Sequence, residues 1–209
     1  MRKLAVYLVG LFILSTGVVL SIRSQLGVSP ISALPYILSL ILDIYVGRVV
    51  AAVFGILVLL QIAILRRKFK PISLFQLLFS AVFGLFVDLI MHLTDGIYFQ
   101  TYFGRLALLL SGAFLLSLGI AVMIESKIAP LPPESLVVAA CEVIPGGRFH
   151  VLKMVLDSSF ALSALVLALV FFGDLQGVRE GTIITALLVG RLVPFSRRVV
   201  LHTIERVGL

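Results

Sequence analysis

The chain is poor in the residues that do chemistry. It has one cysteine, Cys141, three scattered histidines, and only 13% charged residues in 209. A lone cysteine excludes an intramolecular disulfide and any cysteine metal cluster. His92, His150 and His202 form no ligand spacing, and there is no HExxH, no G-x-S-x-G and no P-loop. Nothing in the residues therefore supports an enzyme, and no metal or cofactor is expected. Acidic residues are scarce as well, 10 against 17 lysines and arginines. An excess of this kind suits nucleic acid in a soluble protein, but in a membrane chain it marks cytoplasmic loops. Nucleic acid is accordingly set aside.

What is abundant is apolar. Hydrophobic residues make up 61% of the chain, and the mean hydropathy is +1.21, far above a soluble domain. At ~20 residues per span the chain holds at most about seven or eight hydrophobic elements, which leaves no room for a soluble domain. Met1-Arg2-Lys3 before an apolar run imitates a signal peptide, yet no clear small-residue cleavage site follows. We read that helix as retained.

The chain also repeats itself. Leu14–Leu34, LSTGVVLSIRSQLGVSPISAL, aligns without a gap on Leu116–Leu136, LSLGIAVMIESKIAPLPPESL. Leu14 pairs with Leu116, Gly17 with Gly119 and Pro30 with Pro132. Each copy ends an apolar helix, makes a short polar turn, and restarts a helix at proline, which suits a first helical turn. Ser29 precedes Pro30 as an N-cap. Internal repeats with broken helices are the mark of transporter folds.

The pattern predicts an all-α polytopic membrane protein of two halves, 1–104 and 105–209. The first has spans at about 4–22, 49–65 and 72–93, with a short helix at 30–45 broken by Pro35. The second has spans at about 106–124, 149–172 and 179–196, with a short helix at 132–144. If both short helices crossed fully, the basic cluster Arg66-Arg67-Lys68-Phe69-Lys70 would face outside. If both are re-entrant, that cluster and Arg197-Arg198 fall inside, and charge-poor Thr94–Gly104 falls outside. The second arrangement is expected, with N- and C-termini inside. Three spans per half then make an inverted 3+3 repeat.

The motif residues resemble the YczE/YyaS/YitT-like family of bacterial integral membrane proteins. Leu26-Gly27-Val28-Ser29-Pro30 matches the family's first turn. Pro132-Pro133-Glu134, Lys153 with Asp157, and Gly181-Thr182 before Gly190 match its second half. Ser32 departs from the aspartate expected after the first proline, and Ala129-Pro130 from the usual glycines. The resemblance implies a multi-pass protein of the bacterial cytoplasmic membrane, with transport as the expected activity.

The candidate substrate- or ion-binding residues are Asp157, Lys153, Glu134, Ser29, Ser32 and Ser135. Lys153 and Asp157 are four apart on one helix face, and an ionisable residue inside a span defaults to a functional hypothesis. The competing reading is a structural ion pair. Glu134 either caps the short helix or offers a proton or cation site in a cavity. Ser29, Ser32 and the free N–H groups of the first short helix would suit an anionic or hydrogen-bonding ligand. Pro30, Pro132, Gly17, Gly119, Gly27, Gly181 and Thr182 read as turn and packing positions. Gln61 and Gln76 read as interhelical hydrogen-bond partners, Asp88 and His92 as an interfacial pair, and Glu125 and Lys127 as a surface ion pair. The function expected is a small-solute permease working by alternating access around a midplane cavity. A channel, a binding subunit of an uptake complex and a regulatory membrane protein are the alternatives. The partners expected are the bilayer, a small solute and a coupling proton or cation; a homo-oligomer is compatible with all of these.

Overall fold

The computed structural model describes residues 2–97 and 99–206, and of 203–206 the backbone alone. Met1 and 207–209, the outer ends of the two expected halves, lie outside the described residues. Among these, eight α-helices and two 3-10 turns account for the regular structure, with no strand. The helices are α1 (Arg2–Ser24), α2 (Pro30–Leu42), α3 (Val46–Leu65), α4 (Phe75–Leu93), α5 (Tyr102–Ser126), α6 (Pro132–Val143), α7 (Phe149–Phe172) and α8 (Glu180–Arg206).

Five segments are long and apolar enough to cross a membrane: Arg2–Ser24, Val46–Lys68, Pro71–Leu93, Tyr102–Ser126 and Phe149–Phe172. The fold is that of an all-helical, polytopic membrane protein. Six full spans were expected, and α8 is the exception. It has 27 residues, but Glu180, Arg191, Arg197, Arg198 and Arg206 keep it outside the apolar set. It also continues well past the expected end near 196. Ser196 and Ser117 hydroxyls meet at 3.0 Å, and Arg197 Nε donates to Glu125 at 2.6 Å, so α5 holds the extension in place.

The short helices begin where the prolines put them. α2 has 13 residues and α6 has 12, ~20 and ~18 Å at 1.5 Å per residue, well short of a ~30 Å hydrocarbon core. α2 runs through Pro35 without the expected break, although Pro35 offers Ile31 no N–H. It stops at Leu42 because Asp43 turns left-handed (φ 53) and its N–H reaches back to Ser39. The repeat extends to backbone geometry. Gln25 and its counterpart Lys127 end α1 and α5 with φ of 57 and 54.

α1 and α5 pack against each other along their length. Gly10 lies against Met123, Leu14 against Gly119, Gly17 against Leu116 and Ser21 against Gly112. The numbers rise on one helix as they fall on the other, so the pair runs antiparallel. Each contact also recurs with the two copies exchanged. A Cβ on Gly17 would stand 2.6 Å from Leu116 N, and one on Gly119 2.6 Å from Leu14 N. Lipid supplies no hydrophobic drive between helices, so close backbone approach at small residues is what holds such a pair.

α4 packs on the other side of α1, and α8 on α5. The remaining four helices form a ring in which α2 touches α3, α3 touches α6, α6 touches α7 and α7 touches α2. α3 ties the ring to α4. Gly47 and Gly84 meet backbone to backbone, Gly47 N–H donates to Asp88 at 2.6 Å, and Phe54 stacks on Phe83 at 5.8 Å. Gly190, in α8, has nothing within 4 Å.

Candidate functional site

The α6–α7 connection assembles the site. Gly146 adopts φ 74 and Gly147 N–H donates to Ile144 at 3.0 Å, folding α6 back along α7. The N-terminus of α6 thereby reaches the fifth and ninth residues of α7, Lys153 and Asp157. Lys153 Nζ lies 2.8 Å from Asp157 Oδ1 and 3.4 Å from Glu134 Oε1. Side-chain exposures of 24%, 29% and 36% for Lys153, Asp157 and Glu134 put all three partly inside the protein. Three residues proposed from sequence on two elements therefore form one charge-assisted cluster. Its two carboxylates and one ammonium leave a formal surplus of one negative charge.

Beside the cluster is a cavity of about 400 Å³, bounded by the end of α5, the α5–α6 turn and the start of α6. Met123, Ile124, Ile128 and Leu131 give it apolar walls, and Lys127 and Glu134 are its charged lining residues. Pro132 and Pro133 open α6 here and carry no N–H. The Pro132 carbonyl accepts from the buried Gln61 Nε2 at 3.1 Å, and Gln61 also reaches Gln76 at 3.4 Å. Ser135 is buried and its hydroxyl donates to Pro130 at 3.4 Å.

Tyr7 was not a sequence candidate. Its side chain is fully buried against Phe79, ring centroids 4.5 Å apart, and its hydroxyl has no hydrogen-bond partner among the described residues. The α1–α5 register explains the placement: Gly10 faces Met123, so one turn earlier Tyr7 falls level with Ser126 at the α5–α6 turn. A tyrosine in a span, where its hydroxyl must find a partner, was the available signal.

Ser29 and Ser32 are elsewhere. Both lie half-buried at the α1–α2 turn, where Ser29 occupies the N-cap position but its hydroxyl donates to Ser32 Oγ at 2.9 Å instead of to backbone. The Ser32 and Ala33 N–H groups donate to the Ser29 carbonyl. This turn is filled by the chain between α7 and α8. Val28 N–H donates to Gly177 at 3.0 Å and Gly181 N–H to Leu26 at 2.8 Å. Gly27, at φ 120, has no room for a Cβ, which would stand 2.7 Å from Thr182 Oγ1. Gly27, Gly181 and Thr182 thus form a packing joint around Pro30. Gly17 and Gly119 belong to the α1–α5 seam.

Two ion pairs replace the surface pair read at Glu125 and Lys127. Glu125, with a side chain only 5% exposed, is held by Arg197 at 2.6 Å. At the aligned position, Arg23 reaches the Met91 carbonyl at 2.6 Å and Asp95 at 3.3 Å. The expected partnership failed because residues two apart on a helix do not face each other. Among the described residues no three His, Cys, Asp or Glu side chains converge as metal ligands would.

Residues 1–198 match a family of unknown function, DUF6198. The chain is 32% identical over 194 residues to the uncharacterized protein YyaS of Bacillus subtilis (strain 168), a match covering 91% of this chain and 90% of the relative. It is 26% identical over 193 residues to the uncharacterized membrane protein YczE of the same organism, covering 91% and 83%. No solved structure matches it significantly. The chain belongs to the DUF6198 family, and its turn motifs pointed to the YczE and YyaS relatives.

Proposed function

We propose that this member of a family of unknown function is a small-solute permease of the bacterial cytoplasmic membrane, built as an inverted repeat with both termini inside. The observation that carries the reading is the meeting of Glu134, Lys153 and Asp157 beside a cavity of about 400 Å³ at a helix break. Ionisable groups at such breaks in a membrane bundle are costly and mark solute or ion pathways. Support for the inverted arrangement comes from the antiparallel α1–α5 pair, whose contacts recur with the copies exchanged. Two helices too short to cross, both started by proline, support it as well.

In this mechanism the ring of α2, α3, α6 and α7 shifts against the α1–α5 pair and opens the cavity to one side at a time. Lys153 bridges the two carboxylates when no solute is bound. A solute or a coupling proton arriving at Glu134 takes the place of the Lys153 contact, leaving Lys153 on Asp157. The protein carries its solute without chemical change.

Reconstitution tests the reading. Proteoliposomes containing the protein should show saturable uptake and counterflow of at least one metabolite from a labelled panel, and Asp157→Asn should abolish both. Flux without saturation or counterflow would make it a channel. Cysteines placed at Lys68 and at Phe99 in a Cys141→Ser background test topology. Only the second should react with an impermeant maleimide on intact cells, and labelling of the first would end the inverted arrangement.

A further inference from the structure

We infer that the α5–α6 cavity binds a small primary ammonium ion with an apolar body. As the substrate class of the permease, this rests on the reading above; as a binding site, it stands on the geometry alone. Three features converge on that chemistry.

The charge is the first. Glu134 and Asp157 share one ammonium, Lys153, which lies nearer to Asp157 (2.8 Å) than to Glu134 (3.4 Å). The cluster is one positive charge short, and Glu134 is the carboxylate that both lines the cavity and is less tightly held. A carboxylate offers about four lone-pair sites, and a single long contact leaves most of them free.

The second is what the helix end lacks. An ordinary helix N-terminus presents backbone N–H groups to an anion. Here Pro132 and Pro133 remove two of them, and Ser135 N–H is already given to the Leu131 carbonyl at 3.0 Å. The third residue of the helix, Glu134, adds a negative charge at the same place. The site is built against anions. Lys127 does not reverse this, because it is exposed at the rim, where solvent screens it.

An ammonium N–H can take the free lone pairs of Glu134, whereas a quaternary ammonium has no N–H and could not make that bond. The third feature is the wall. Met123, Ile124, Ile128 and Leu131 surround a volume at the small end of ligand pockets, suited to a short alkyl or aryl body.

The test is calorimetric titration of the purified full chain with n-butylammonium, n-butyrate, n-butanol and n-butyltrimethylammonium, with uptake of the first two into proteoliposomes. Butylammonium should bind at least about tenfold more tightly than each of the others, the discrimination expected of a charge-assisted pair. Glu134→Gln should lower its affinity by about tenfold or more. Should Glu134→Gln not fold, Ala129→Leu decides, because it occupies the cavity and should abolish butylammonium binding. Tighter binding of butyrate, equal binding of the quaternary ion, or no binding by any probe would overturn the inference. Butylammonium that binds but is not transported would sink the permease and leave the site. Transport of butyrate without amine binding would do the reverse.

Discussion

The two proline turns of this protein have the same backbone plan and opposite contents. At the α1–α2 turn, Gly27 and Val28 let the α7–α8 connection dock, and backbone fills the space. At the α5–α6 turn the aligned residues are Ala129 and Pro130. Ala129 carries the Cβ that Gly27 has no room for, and Pro130 has no N–H to donate as Val28 does. Among the described residues, the connection Arg66–Leu74 gives that turn no backbone hydrogen bond, and a cavity lies there instead. Two substitutions in an aligned turn accompany the change from a joint to a site. The charges follow the space: Ser29 and Ser32 satisfy each other at the filled turn, while Glu134 reaches for Lys153 at the hollow one.

The sharpest way to break this comparison is to put the same side chain into both turns. Gly27→Leu meets Thr182 and a positive φ, so it should cost about 3 kcal/mol or more, enough to prevent folding. Ala129→Leu should cost less than about 1 kcal/mol, because the side chain enters empty space. Melting of the detergent-solubilised proteins measures both, and similar losses would mean the turns are alike.

A smaller effect is expected at the charges. Lys153→Met leaves two carboxylates without their shared ammonium and should cost about 2 kcal/mol, allowing for partial exposure. Ser29→Ala at the other turn should cost about 0.5 kcal/mol or less, one neutral hydrogen bond. Urea midpoints for the pair would contradict the assignment if the serine change proved the larger.

A third contrast lies between the two latches that tie α1 to the end of α4 and α5 to α8. Glu125→Gln, at a carboxylate almost wholly buried, should cost about 1 kcal/mol, and Asp95→Asn, at a side chain 80% exposed, about 0.3 kcal/mol or less. The Asp95 effect should vanish in high salt, and a persistent one would point to a role beyond the ion pair.

Much of this architecture was legible in the chain. The gapless alignment of Leu14–Leu34 on Leu116–Leu136 located both proline-started helices, and α7 was read to the residue because Arg148 and Gly173 bound a mostly apolar run with no proline or glycine inside it. Lys153 and Asp157 were legible as a pair because four residues is one helical turn. Glu134 was a candidate for the same cavity, but its direct pairing with Lys153 was not legible, since the α6–α7 fold-back depends on a left-handed glycine whose conformation no spacing reveals. Tyr7 was missed because apolar surroundings look the same whether or not the hydroxyl finds a partner. The length of α8 was underestimated for a related reason: its basic end is held by Ser117 and Glu125, some 70 to 80 residues earlier in the chain, and tertiary contacts of that kind leave no local trace.

The antiparallel α1–α5 seam also sets an order of events during synthesis. α1 emerges first, with its face of Gly10, Leu14, Gly17 and Ser21 already complete, but every residue that face receives lies between 112 and 123. α1 must therefore wait in the bilayer, its small-residue stripe against lipid, while three further helices and most of α5 are made. Closure of the seam is late by construction, and it joins the earliest helix of the chain to the first helix of the second half. A fault in α5 would consequently be felt by a helix that entered the membrane long before it.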